Sequence, residues 1–117
     1  MYNYVMLVGR LAKDPVLREL KDGKKVVELV LAVQRGFKDY NGEQTVDYIP
    51  VTVWEALAEA SSEYLTKGKM ILAKGRITPK KELDTLASGA TVQNYFVTAD
   101  KIVFLSGTTK KKEEDQI

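Results

Sequence analysis

Polar and apolar residues alternate most clearly in TVDYIPVTVW, positions 45–54. Successive side chains of a strand point to opposite faces, so Ile49, Val51 and Val53 share one side. Val46, Tyr48, Pro50, Thr52 and Trp54 share the other. Tyr48 and Trp54 stand an even six residues apart, which puts both rings on one face. The pattern predicts a strand from about Thr45 to Trp54, and Pro50 in it implies an edge position or an irregular ladder.

The flanking pattern predicts the other elements. Tyr2 to Leu11 is apolar on both faces and reads as a central strand, with Gly9 marking a bulge or bend. Lys13-Asp14-Pro15 reads as a turn and Val16 to Leu20 as a short strand. Lys21-Asp22-Gly23-Lys24 is a hairpin signal, and Val26 to Arg35 is a long strand with Val27, Leu29, Leu31 and Val33 on one side. Gly36 to Glu43 reads as a polar loop holding Phe37, Tyr40 and the hairpin dipeptide Asn41-Gly42. From about Glu55 to Thr66 the spacing turns helical, with Leu57, Ala60, Ser61, Tyr64 and Leu65 as the expected buried stripe and Gly68 as a left-handed cap. Early glutamates and a late Lys67 match the helix dipole. Met70 to Thr78 is the next strand, Pro79 to Ala90 a loop, and about Val92 to Leu105 the last strand.

Three strands, a helix and two further strands form the connectivity of the five-stranded oligonucleotide-binding (OB) barrel, an all-β fold whose single helix lies between strands three and four. The expected domain is 1–105, followed by a short, flexible, charged tail at 106–117.

Composition narrows the chemistry. The 117 residues are 44% hydrophobic and 29% charged, as one soluble globular domain would be. Neither a leader peptide nor an apolar run long enough to cross a membrane is read in the sequence, so the expected compartment is the cytoplasm. There are no cysteines and no histidines. That removes disulfides, thiolate or imidazole metal sites and the usual neutral-pH bases and nucleophiles; the acids show no ligand spacing. No enzyme activity, cofactor or metal is expected. Net charge is only +2, yet three acids fall in 55–65 and the tail carries three of each sign. The rest holds fifteen basic and ten acidic residues, a modest excess on strands and loops.

With these residues in hand, the chain resembles the bacterial single-stranded DNA-binding protein family. The resemblance rests on NYVMLVGRLAKDPVLREL at 3–20, LVLAVQRGFKD at 29–39, ASSEYLTKG at 60–68, KGRI at 74–77 and TADKIVFL at 98–105, in that order. It implies a homotetramer that wraps single-stranded DNA without strong sequence preference in replication, recombination or repair. It puts stacking aromatics at Phe37, Tyr48 and Trp54 and phosphate-binding lysines at Lys67 and Lys81. Arg10, Arg35, Lys38, Lys74, Arg76 and Lys80 join them from their positions on or beside the inferred face. Physically, a ring stacks on any base and a cation neutralises any phosphate, so such a face needs no hydrogen-bond code.

The chain departs from the family's pattern in places. Glu55 and Ala56 follow Trp54 where relatives carry basic residues, and the 79–91 loop has no aromatic. Tyr95 or Tyr40 offers an alternative path for DNA. Tyr2 and Tyr4 read as packing residues at a subunit face. The tail KKKEEDQI lacks the Pro-Phe end through which relatives dock replication and repair proteins; it reads as either a reduced version or a solvated end. Two alternatives share the fold: a dimeric primosomal replication accessory, and an adaptor binding RNA or peptide.

Overall fold

A computed structural model describes residues 1–106; of the tail expected at 106–117, all but Ser106 lies outside the described residues. The chain runs β1 (Val5–Leu11), β2 (Leu17–Glu19), β3 (Lys25–Lys38), β4 (Gln44–Trp54), α1 (Glu55–Tyr64), β5 (Met70–Pro79), β6 (Asp84–Thr85), β7 (Thr91–Val92) and β8 (Tyr95–Phe104). The main sheet has the order β1-β5-β8-β4-β3-β2 and closes through an additional β1–β3 pairing, giving a five-stranded OB barrel with α1 between β4 and β5. β1 has a neighbour on either side, pairing with β5 from Val5 to Arg10 and with β3 at Arg10 and Leu11, but only one of its apolar faces is covered, Met6 and Val8 being exposed.

Closure depends on glycine. A Cβ at Gly9 would lie 2.6 Å from the Ala32 carbonyl oxygen, where β1 passes from β5 to β3. At Gly75, beside the register shift between β5 and β8, it would lie 1.9 Å from the Thr98 carbonyl oxygen. Only a residue without a side chain permits backbones to approach this closely.

The interior is filled by Leu11, Val27, Leu29, Leu31, Val51, Val53, Ile71, Ala73 and Val97. Ala58 and Leu65 cap this core from α1 and the residue after it. The buried helical residues are Ala58 and Ser61, with Leu57 packed against the core; Ala58 was not in the expected stripe. Tyr64 is half-buried and meets Phe104 with ring centroids 6.0 Å apart, so it borders the core instead of entering it.

Several expected boundaries move. β1 begins at Val5, not Tyr2, because the Asn3 side chain takes over the ladder: its amide donates to the Ile77 carbonyl and its oxygen accepts from the Ile77 N–H. β3 runs on to Lys38, which pairs with Gln44 beyond an irregularity, so Phe37 and Lys38 are strand residues. The helix stops at Tyr64 because Leu65 turns extended and is fully buried. Gly68, at φ 91°, therefore does not cap the helix; its N–H donates to the Leu11 carbonyl in the turn into β5. The 79–91 segment folds into the β6–β7 hairpin, and the last strand begins at Tyr95 because Gln93 and Asn94 bond back to Lys80. Both hairpin dipeptides form their turns, with Gly23 at φ 86° and Gly42 at φ 82°. Pro50 falls where the β4 ladder is one-sided. It lies opposite Val30, and pairing of β4 with β8 covers only Val51–Val97 and Thr52–Thr98, just beyond it.

Candidate nucleic-acid interface

β4 builds the site by simple alternation. Ile49, Val51 and Val53 turn into the barrel, which leaves Tyr48, Pro50, Thr52 and Trp54 on the outside. Tyr48 is 67% exposed and Trp54 38%, so neither ring belongs to the core. At strand rise, six residues separate them by about 20 Å.

Cross-strand register supplies what surrounds the rings. Trp54 lies opposite Val26 on β3, which in turn lies opposite Arg18 on β2. Tyr48 lies opposite Ala32, which lies opposite Arg10 on β1. Thr52 faces Glu28 and Pro50 faces Val30. Each ring thus has an arginine two strands away on the same surface, and between the rings the floor is small and uncharged except for Glu28. A groove of about 360 Å³ runs across this surface at Trp54, lined also by Lys13, Arg18, Lys80 and Glu28. A second, of about 500 Å³, holds Tyr48 beside Arg10, Ala32 and Val46.

Beyond Tyr48 the β3–β4 hairpin extends the ribbon. Phe37 is 68% exposed there and Tyr40, in the turn, 98%. Lys38, opposite Gln44, keeps to the face of Tyr48. Arg35 does not: its guanidinium grips Asp47, Nε to Oδ2 at 3.1 Å and Nη2 to Oδ1 at 3.0 Å, on the reverse face of the ribbon. That hydrogen-bonded guanidinium holds the Asp47 carboxyl below its ordinary range.

The other expected cations are dispersed. Lys80 is on the Trp54 groove and Lys81 is exposed next to it. Lys67 sits at the turn after α1, its N–H donating to Asp14 at 2.7 Å, adjacent to the Gly68 carbonyl that Arg10 holds at 3.0 Å. Lys74 and Arg76 lie on β5, outside the β3–β4 ribbon; Lys74 has its Nζ 5.5 Å from the centre of the Tyr4 ring. Two cations near Trp54, Lys13 and Arg18, were not among the expected residues. Arg18 was hidden because three-residue β2 has no period of its own, and only its pairing to β3 reveals which way it points.

Glu55, the residue after Trp54, is exposed and lines a shallow pocket together with Trp54. The chain takes a left-handed step at Glu55, φ 57°, costing about 1–2 kcal/mol for a residue with a Cβ. Its carboxylate accepts the Lys25 N–H at 2.9 Å, which anchors the bend. Glu59 meets the Lys25 ammonium and, with Glu19 and Glu55, raises its pKa. The acids of the helix are thus partly answered within the fold. Among the described residues, no group of three acids could hold a metal ion.

The family model described as the single-strand binding protein family matches residues 2–115. The chain belongs to this family. It is a family of binding proteins without enzymatic activity. Single-stranded DNA-binding protein B of Bacillus subtilis (strain 168) is 38% identical over 115 residues, spanning 98% of this chain and 100% of that protein. The single-stranded DNA-binding protein of Caldanaerobacter subterraneus subsp. tengcongensis is 34% identical, over 98% of this chain and 80% of its own length. That of Clostridium tetani is 37% identical, over 97% and 77%.

Proposed function

We propose that this member of the single-strand binding protein family binds and protects single-stranded DNA, without strong sequence preference, in replication, recombination or repair. Trp54, Tyr48 and Phe37 stack unpaired bases. Arg10, Lys13, Lys38 and Lys80 meet the phosphates, with Lys67 and Lys81 at the margins. The observation that carries this reading is the pair of exposed rings on one strand face, separated by a floor of Pro50, Val30, Thr52 and Glu28. Every base has a π face, so stacking contributes about 1–3 kcal/mol whatever the base. Phosphate contacts add affinity that falls with salt. DNA stripped of its complement arises where the chromosome is copied and mended, so the proposed place of action is the cytoplasm.

Assembly into a homotetramer is supported by a second surface. Along the outside of β1 and the residue before it, Tyr4, Met6 and Val8 stand in a row, Met6 54% and Val8 46% exposed, a contiguous apolar strip of the kind that marks protein contacts.

Titrating Trp54 fluorescence with oligo(dT) at two salt concentrations tests the function. Quenching that weakens steeply as salt rises is expected. Fluorescence indifferent to the oligonucleotide would overturn the reading.

A further inference from the structure

A carboxylate stands in the middle of the surface proposed to carry a polyanion. Glu28 lies opposite Thr52, one step along β3 from the row that holds Trp54, and it lines the groove on which Trp54, Arg18, Lys13 and Lys80 converge. Its Oε1 accepts from Arg18 Nη2 at 2.7 Å, and both side chains are more than half exposed. An exposed pair of this kind adds little to stability. Fold alone therefore gives Glu28 no strong reason to be there. Electrostatically, however, the pair divides the groove. The floor beside Trp54 carries a negative charge and an arginine already engaged, whereas Lys13 and Lys80 leave the cations on the walls.

We propose that Glu28 is a discriminating residue: it bars phosphate from the floor of the Trp54 groove, so that a strand enters base-first with its phosphates on the lysine-bearing walls. The inference rests on the binding reading given above and deepens it. A strand with bases stacks on Trp54 and keeps its phosphates away from Glu28. A polyanion without bases would have to lay phosphate on the floor to reach Arg18, and there the carboxylate both repels it and competes for the guanidinium. The ligand class selected is thus a polynucleotide with unpaired bases, over polyanions in general.

The test compares oligo(dT) with an abasic (tetrahydrofuran) oligonucleotide of equal length, measured with the full chain at one low salt concentration. Glu28→Gln keeps an oxygen that accepts from Arg18, so β2 stays joined to β3, and thermal melting checks that the fold is retained. A unit charge removed at about 6 Å in a water-like medium corresponds to roughly a threefold change in affinity. The abasic strand should therefore bind Glu28→Gln about threefold more tightly than the wild type, while oligo(dT) changes less, narrowing the ratio between the two ligands. Glu28→Lys should narrow it further. An unchanged ratio in both variants, with wild type binding oligo(dT) normally, would overturn the role of Glu28 and leave the binding reading intact. Failure of the wild type to bind oligo(dT) would overturn the binding reading, and this one with it.

Discussion

Two outward surfaces of one barrel present rings and apolar side chains, yet they differ in how these are spaced. On β3–β4, Trp54 and Tyr48 are isolated from each other by Pro50, Thr52, Val30 and Glu28, and each has an arginine on its row. Along β1 and the residue before it, Tyr4, Met6 and Val8 follow one another without a charge between them, and nearby Lys74 already lies over the Tyr4 ring at 5.5 Å. Isolated rings with cations beside them suit a polymer that alternates flat bases with phosphates. A continuous apolar strip suits a second protein surface. Exposure of hydrophobic residues alone would not tell the two apart; their spacing and neighbouring charge do.

The comparison can be broken from either side. The largest expected effect is on the ring surface: Trp54→Ala should weaken binding of oligo(dT) by about 1–3 kcal/mol, up to roughly a hundredfold, without altering assembly. Isothermal titration of the variant, beside a melting curve, checks this; a variant that unfolds with no separable binding defect would return Trp54 to a packing role. On the other surface, Met6→Asp should split the assembly while each protomer still binds a short oligonucleotide, which sedimentation can follow. Binding lost together with assembly would show that the surfaces are not independent.

Gly9 joins the two surfaces, since β1 crosses there from β5 to β3. Gly9→Ala places a Cβ 2.6 Å from a backbone oxygen and should cost about 1–3 kcal/mol of stability, read by urea unfolding. A smaller effect concerns one cation of the groove: Lys80→Gln should reduce the slope of log affinity against log salt by about 0.7, since one phosphate contact is lost.

The smallest effect is at the Arg35–Asp47 pair. The hydrogen bond from Arg35 depresses the folded-state pKa of Asp47 below its ordinary value of 3.8. Its contribution is therefore present in full above that value and fades as pH falls through the lower, folded one. Wild type and Asp47→Asn should differ in melting temperature by a constant, small amount above about pH 5, converging only in acid. A gap that opens or closes around neutral pH would contradict this pairing.

How far the sequence could be read follows from the range of each interaction. Tyr48 and Trp54 were legible as partners on one face because alternation is a property of a single strand. The hairpin turns at Gly23 and Gly42 were legible for a similar reason, as they need only local backbone conformations. Phe37 reads from the sequence as a loop residue, because the continuation of β3 depends on pairing past a bulge that no local pattern announces. Arg35 looked like a cation free for phosphate until Asp47, twelve residues on, was found holding it. Lys74 and Arg76 read as site residues from their alternation, which fixes their side of β5 but not which neighbour β5 adopts.

By itself, then, the sequence determined the barrel class, the inward and outward sides of each long strand, and the absence of imidazole and thiol chemistry. Order and spacing of residues carry those directly. Only the tertiary structure decided that Arg18, Lys13 and Lys80 meet at Trp54, that Glu28 stands among them, and that Arg35 turns away. These depend on cross-strand register and on barrel closure at Gly9, where residues far apart in the chain become neighbours. No single segment holds that information, because a cross-strand neighbour is set by two strands at once.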